Sequence, residues 1–161
     1  MSLPKLYLET TIPSYLTARR SRDLRLAAHQ EVTEEWWSDH RHEYDIYISD
    51  LVLDEAGEGD AALAESRLAA LAGIPSLDVT EEVDSLAGRL LAGGLIPAKA
   101  AQDAFHVAVS AVHRMDFLVT WNCTHINNVS IIRRMEHICA EAGFACPVIC
   151  SQDELLPLST T

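Results

Sequence analysis

Apolar and polar positions along this chain follow two periods, one typical of buried strands and the other of amphipathic helices. Short runs of β-branched, aromatic or leucine residues predict strands, at residues 5–8, 45–49, 76–79, 116–120 and 147–150. Between these runs, apolar residues recur at every third or fourth position, which is typical of helices with one buried face. Those helices are predicted at 23–37, through Glu55, at 60–72, 80–93, 97–113 and 131–142, with a last turn at 151–155.

The alternation of strand and helix indicates an α/β fold. Repeated βα units predict a three-layer α/β/α sandwich around a mainly parallel sheet of about five strands. The centre of the run DFLVT, residues 116–120, is almost entirely apolar, as expected for a strand covered on both faces. A chain of 161 residues is expected to form a single domain over residues 1–161.

Composition and charge narrow the classes of function. The formal net charge is −12, which argues against a large non-specific nucleic-acid surface. A nuclease stays possible, because a cluster of carboxylates that holds cations is itself negative. No apolar run is long enough to span a membrane, and no secretory signal precedes the first strand, so we expect a cytoplasmic protein.

One short segment runs against the acidic charge. Arg19, Arg20, Arg22 and Arg25 lie close together between two predicted elements. They can be solvent-exposed residues at the start of a helix, or a binding surface for a polyanion or an acidic protein partner. The sequence leaves both interpretations open.

Polar side chains follow several of the predicted strands. Glu9 ends the first strand, Glu55 lies in the helix after the second, and Asn122 comes two residues after the fourth. Asp103 lies near the start of its helix. In a parallel α/β sheet, strand ends and helix starts share one edge, where ligands bind. We therefore expect all four side chains to share one rim.

Carboxylate and amide oxygens are the ligands that Mg²⁺ and Mn²⁺ prefer. Such an ion can activate a water molecule and stabilise a leaving oxyanion during phosphodiester cleavage. Each residue also has an ordinary explanation. Glu55 can be an exposed helix residue, Asp103 an acid favoured by its helix dipole, and Asn122 a turn former.

Three segments together resemble the PIN-domain family, in its VapC-type toxin branch. They are LYLETTIPSYL (6–16), SDLVLDEAGEGD (49–60) and DAFHVAVSAVHRMDFLVTWNCTHINN (103–128). The resemblance implies a three-layer fold with a five-stranded parallel sheet and a ribonuclease dependent on Mg²⁺ or Mn²⁺. It also implies the toxin of a type II toxin–antitoxin pair, an antitoxin protein as partner, RNA as substrate, and a homodimer.

Carried over position by position, the resemblance implies a site in this chain. The family's four catalytic and metal-holding positions correspond to Glu9, Glu55, Asp103 and Asn122. Thr10, Thr11 and Thr120 match hydroxyl positions of the family, which can hold a carboxylate or a metal-bound water. These threonines, together with His106 from the spacing along its helix, are the candidate substrate-contacting residues. His106 could also bond Asp103 three residues earlier, or be a satisfied, partly buried histidine.

Two positions depart from the family pattern. Glu9 stands where the family usually has an aspartate, so its oxygens reach one methylene farther from the strand. Asn122 removes one negative charge from the fourth position, so the site is expected to hold fewer metal ions. These departures motivate an alternative function, a catalytically weak or inactive PIN-like protein that acts by binding a partner.

A more distant hypothesis is a receiver-like or other phosphoryl-transfer domain. That chemistry requires paired aspartates near the first strand and a lysine after a late strand. The chain has only two lysines, Lys5 and Lys99, and neither lies in such a position.

Overall fold

Five parallel strands form the centre of the protein. The computed structural model describes residues 2–157. The strands are β1 (Lys5–Leu8), β2 (Asp45–Ser49), β3 (Ser76–Leu77), β4 (Phe117–Val119) and β5 (Val148–Cys150). Their order across the sheet is β3-β2-β1-β4-β5, and every neighbouring pair is parallel. The predicted parallel sheet is confirmed.

Helices connect the strands. They are α1 (Thr11–Thr17), α2 (Leu24–Asp39), α3 (Asp50–Ala56), α4 (Ala61–Leu71), α5 (Glu81–Ala92), α6 (Ala101–Val112), α7 (Val129–Glu141) and α8 (Gln152–Leu155). Single 3₁₀ turns cover Arg41–Glu43 and Ala98–Ala100. Within residues 2–157, none of the helices combines the length and apolar character that crossing a membrane requires.

The strand order explains the three layers. The chain moves from β1 through β2 to β3 towards one edge, then crosses to β4 and β5 on the other side of β1. Right-handed crossovers in opposite directions place their helices on opposite faces. Accordingly, α1 contacts α2 and α4, α2 contacts α8, and α5 contacts α6 and α7. The predicted α/β/α sandwich is confirmed.

The central strand β1 is covered on both faces. Leu6, Tyr7 and Leu8 are completely buried, and so are Leu118 and Val119 on the neighbouring β4. Side chains of consecutive strand residues point to opposite faces, so burial of all of them requires helices on both sides. The apolar runs of the sequence therefore belong to a core of two packed layers.

Helix α1 is an element that sequence reasoning missed. Its residues include two threonines, a tyrosine and Pro13, which favour strands or turns. Pro13 falls in the first helical turn, where a missing N–H group removes no intrahelical hydrogen bond. Ile12 and Pro13 are both buried, so packing stabilises a helix that local preference does not indicate.

We predict that Leu118→Ala lowers the free energy of unfolding by about 2–5 kcal/mol, because it leaves a cavity beside the central strand. Leu24→Ala is the matched control, since Leu24 is 87% exposed; it should change stability by less than about 0.5 kcal/mol. Urea unfolding followed by circular dichroism measures both. Equal losses would contradict the assignment of β4 to the core.

Candidate functional site

The sheet has one topological switch point, between β1 and β4. The chain leaves β1 towards β2 on one side, whereas β4 leads to β5 on the other. Helices then depart to opposite faces and leave a crevice at the carboxyl ends of the two strands, where ligands bind in folds of this kind. Glu9 follows β1 and Thr120 follows β4, so both lie at this crevice, and the Glu9 N–H donates to the Val119 carbonyl at 3.1 Å.

Glu9 is held by hydrogen bonds to a single oxygen. Its Oε1 accepts from the Thr11 N–H at 3.1 Å, the Thr11 hydroxyl at 2.6 Å and the Thr120 hydroxyl at 2.6 Å. The residue is only 4% exposed. Burying a carboxylate is costly unless hydrogen bonds replace its water. These three bonds supply that replacement and fix the side chain.

The two threonine hydroxyls also anchor the chain leaving β4. Thr11 Oγ1 accepts from the Trp121 N–H at 2.9 Å, and Thr120 Oγ1 accepts from the Asn122 N–H at 2.9 Å. Each hydroxyl thus donates to Glu9 and accepts from the loop after β4. Both threonines therefore connect the Glu9 carboxylate to the backbone of the loop after β4.

Glu55 ends a buried chain of polar side chains. Its Oε1 accepts from the Thr10 hydroxyl at 2.9 Å and contacts His106 Nε2. On the other side of the ring, His106 Nδ1 lies 2.7 Å from the Tyr7 hydroxyl, which lies 2.7 Å from Ser49 Oγ. His106, Tyr7 and Ser49 are completely buried. The sequence allowed a bond from His106 to Asp103; the structure places its Nε2 against Glu55 instead.

The charges around His106 favour its protonated form. Burial lowers the pKa of His106, but the hydrogen bond to Glu55 and the charges of Glu9, Glu55 and Asp103 outweigh burial and raise the pKa above its ordinary value. Burial likewise raises the pKa of Glu55, but the bonds to His106 and Thr10 outweigh it, so this pKa lies below its ordinary value. Together these shifts describe an ion pair.

A protonated His106 would donate from both ring nitrogens, from Nε2–H to Glu55 and from Nδ1–H to the Tyr7 hydroxyl. In the Tyr7–Ser49 bond, either hydroxyl can be the donor. Burial raises the pKa of Tyr7 well above its ordinary value, so the phenol stays neutral and can donate.

Asp103 and Asn122 are joined through one loop residue. Asp103 Oδ2 lies 2.9 Å from His125 Nδ1. The Asn122 side-chain carbonyl accepts from the backbone N–H groups of Thr124 and His125, at 3.2 and 3.0 Å. The asparagine amide oxygen therefore closes its own turn, and that turn positions the histidine that contacts Asp103.

Of the three carboxylates, Glu55 contacts His106 directly, and the charges of Glu9 and Asp103 help to raise the pKa of this histidine. Within the described part of the chain, no three histidine, cysteine, aspartate or glutamate side chains form a group that could hold a metal ion. The donor chemistry nevertheless suits a hard cation. In residues 2–157, each carboxylate has one hydrogen-bonded oxygen and a second oxygen that accepts no hydrogen bond.

Sequence reasoning missed some of the residues that support the site. Tyr7 and Ser49 lie inside predicted strands, where an aromatic or hydroxyl side chain has no distinguishing pattern. Trp121 donates from its indole Nε1 to Thr33 and Gln152, at 2.8 and 3.1 Å. His125 stands out in the sequence as a possible RNA contact after the fourth candidate, but no spacing rule predicts its bond to Asp103, 22 positions earlier.

We predict that the stabilising effect of His106 depends on pH. The raised pKa makes its contribution complete below the ordinary value of 6.5 and lost as pH rises through the higher folded value. The lowered pKa of Glu55 makes its contribution complete above 4.5 and lost as pH falls through the folded value.

Urea unfolding at a series of pH values, in the presence of EDTA, tests the direction of this pH dependence. The parent should exceed His106→Gln in stability most clearly between these two ordinary values, and the difference should shrink towards alkaline pH. His42→Gln is the control, since His42 is exposed. A difference that grows with rising pH would contradict the ion pair.

Comparison with known proteins shows the fold. No family model and no curated protein sequence matches the chain. Among solved structures, one similar to this chain is VapBC2 from Rickettsia felis, crystallised with a DNA fragment from the VapBC2 promoter. The TM-score is 0.54 and the sequence identity is 17%. The alignment covers 91% of this chain and 98% of that chain. At this identity, the likeness establishes the same α/β architecture.

Proposed function

We propose that this chain is a metal-dependent endoribonuclease and the toxin of a type II toxin–antitoxin pair. One observation carries the proposal: side-chain contacts connect acids from distant segments beside the switch point of the sheet. Thr10, the residue after Glu9, donates to Glu55, and Glu55 contacts His106, which lies three residues after Asp103. The likeness of the fold to VapBC2, a toxin–antitoxin complex, supports the same proposal.

Glu9, Glu55 and Asp103 would hold Mg²⁺ or Mn²⁺, with Asn122 as a weaker ligand. A bound divalent ion supplies a polarised water and positive charge for the leaving oxygen of a phosphodiester. The chain's own residues prepare the acids for this task. Thr11 and Thr120 hold one oxygen of Glu9, His106 and Thr10 hold one oxygen of Glu55, and His125 holds one oxygen of Asp103.

The extra methylene of Glu9 has a use in this arrangement. The carboxylate reaches Thr120 across the gap between β1 and β4, while Thr11 holds it from the start of α1. An aspartate would draw the carboxylate back towards the strand and away from this pair of donors. We infer that the glutamate and the two threonines form one unit.

Partners follow from the same proposal. VapBC2 is a toxin–antitoxin complex, and we propose that this chain also pairs with an antitoxin protein, in the cytoplasm, and forms a homodimer. RNA is the proposed substrate. The raised pKa of His106 favours a positive charge beside Glu55, which would offset part of the negative charge that a polyanionic substrate must approach.

We predict that Asp103→Asn lowers the rate of RNA cleavage in Mn²⁺ by about 100-fold or more, since it removes a charge at the reacting centre. EDTA should abolish the activity of the parent. Asp54→Asn is the matched control, because Asp54 is exposed and adjoins Glu55; it should cleave like the parent. Cleavage by Asp103→Asn at the parent rate would refute the proposed site.

A second function, partner binding without catalysis, is favoured by one observation. Glu55 and Asp103 each contact a histidine, and across residues 2–157 no group of three ligands is arranged to hold an ion. Histidines in these positions can balance the acids in place of a metal.

Isothermal titration calorimetry with Mn²⁺ separates the two functions. The nuclease requires an ion bound more tightly than about 1 mM, a value near the weak end of protein cation sites, and Glu55→Gln should weaken binding while Asp54→Asn should not. If the parent binds no ion in this range and cuts no RNA, the binding function replaces the nuclease.

A further inference from the structure

Basic residues are concentrated at one corner of this acidic protein. The chain carries 12 lysines and arginines and a net charge of −12. Four of the 12 lie within residues 19–25, where Asp23 is the single acid. All four arginines are exposed. We call Arg19, Arg20, Arg22 and Arg25, between α1 and α2, the arginine corner.

Three of these guanidinium groups are available to a partner. Arg20 is used internally, since it donates to the Ala27 carbonyl and to Glu34, both at 2.8 Å. Among the described residues, Arg19, Arg22 and Arg25 form no side-chain hydrogen bond or ion pair. The Asp23 carboxylate is occupied at the start of α2, where it accepts from the N–H groups of Arg25 and Leu26.

The backbone of the corner is held in place. Gln30 is 6% exposed; its amide oxygen accepts from the Ser21 N–H at 2.8 Å, and its amide nitrogen donates to the Arg19 carbonyl at 3.0 Å. A buried side chain that bonds the loop on both sides keeps the arginines in a defined arrangement. Binding then costs less ordering of the protein.

Aromatic rings lie between the corner and the site. His29 stacks on Trp121 with ring centroids 4.1 Å apart and planes 12° apart. Tyr15 is nearly parallel to Trp121, at 6.1 Å and 9°. Trp121 is buried and directly follows Thr120, whereas Tyr15 and His29 are partly exposed. We call Tyr15, His29 and Trp121 the ring cluster.

Tyr15 connects the ring cluster to both neighbours. It lines a hollow of about 200 Å³ together with Arg19, Leu26 and Gln30. Its ring is also nearly parallel to Trp121, the neighbour of Thr120, whose hydroxyl donates to Glu9. Burial raises the pKa of the Tyr15 phenol most, and the charges of Cys123 and Glu9 raise this pKa further. In the part of the chain described, the Tyr15 hydroxyl has no hydrogen-bond partner. The Tyr15 ring therefore lies between the exposed arginines and the segment that holds Glu9.

We propose that the arginine corner and the two partly exposed rings of the ring cluster, Tyr15 and His29, bind single-stranded RNA and direct it towards Glu9; this proposal rests on the proposed ribonuclease function. A single strand presents phosphates to guanidinium groups and unpaired bases to aromatic faces, and these two contacts together are the usual basis of its recognition. An acidic protein segment could form ion pairs with the arginines, but its carboxylates would not stack on the aromatic rings. The observations therefore favour RNA.

Fluorescence anisotropy with a short, labelled single-stranded RNA tests the surface. The protein carries Asp103→Asn and the buffer contains EDTA, so that binding is measured without cleavage. Arg19→Gln combined with Arg22→Gln should weaken binding at least tenfold and reduce the salt-dependence slope by about 1.4, for two lost phosphate contacts. Tyr15→Ala should weaken binding at least fivefold, as expected for one lost base stack, and Tyr15→Phe should bind like its parent.

The matched control is Arg41→Gln combined with Arg114→Asn. Both arginines lie where strands begin, at the opposite edge of the sheet, and the pair removes the same charge. Asparagine suits position 114, where φ is 58°. This control should bind RNA within twofold of the parent. Equal weakening in both double variants would show a general charge effect and overturn the proposal.

Further outcomes separate this surface from the nuclease itself. If the parent cleaves RNA and the Arg19, Arg22 variant binds RNA unchanged, the surface proposal fails while the nuclease stands. If the parent neither binds nor cleaves RNA, both fail. If the corner binds a labelled polyglutamate peptide and no RNA, an acidic protein partner replaces RNA and the proposal is overturned.

Discussion

The buried carboxylate of Glu9 is the constraint around which the carboxyl edge of the sheet is organised. A charge that is 4% exposed must have its lost water replaced, and hydrogen bonds to charged groups contribute about 1.5–3 kcal/mol each. Thr11 and Thr120 provide these bonds from two different segments. The same hydroxyls accept from the chain leaving β4, so the first acid, the start of α1 and the loop carrying Asn122 are positioned together.

A second constraint is the repulsion among three acids. Without a counter-charge, neighbouring carboxylates raise one another's pKa values. The fold places His106 among them, fully buried, and supports its far nitrogen through Tyr7 and Ser49. The raised pKa of His106 thus favours a positive charge next to Glu55, at the edge of the sheet where a metal ion is proposed to bind.

Much of the fold could be predicted because each element carries its own signal. The apolar runs and the helical period identified the strands and most helices, and their alternation predicted the parallel sheet. Helix α1 was not predicted, because its residues favour other conformations and its stability comes from burying Ile12 and Pro13. Positions after strands pointed to Glu9, Glu55, Asp103 and Asn122, since a polar residue at a strand exit stands out in an apolar chain. Their role towards a metal stays a prediction.

The sequence by itself predicted which acids lie at the rim, because the carboxyl ends of parallel strands share one edge. It also determined that basic charge gathers between α1 and α2. Only the tertiary structure decided which side chain holds which acid. His106 meets Glu55 across 51 positions of the chain and Thr120 meets Glu9 across 111, while Asp103, three residues from His106, pairs with His125. These choices depend on where the packed helices place each side chain, and no local spacing encodes that.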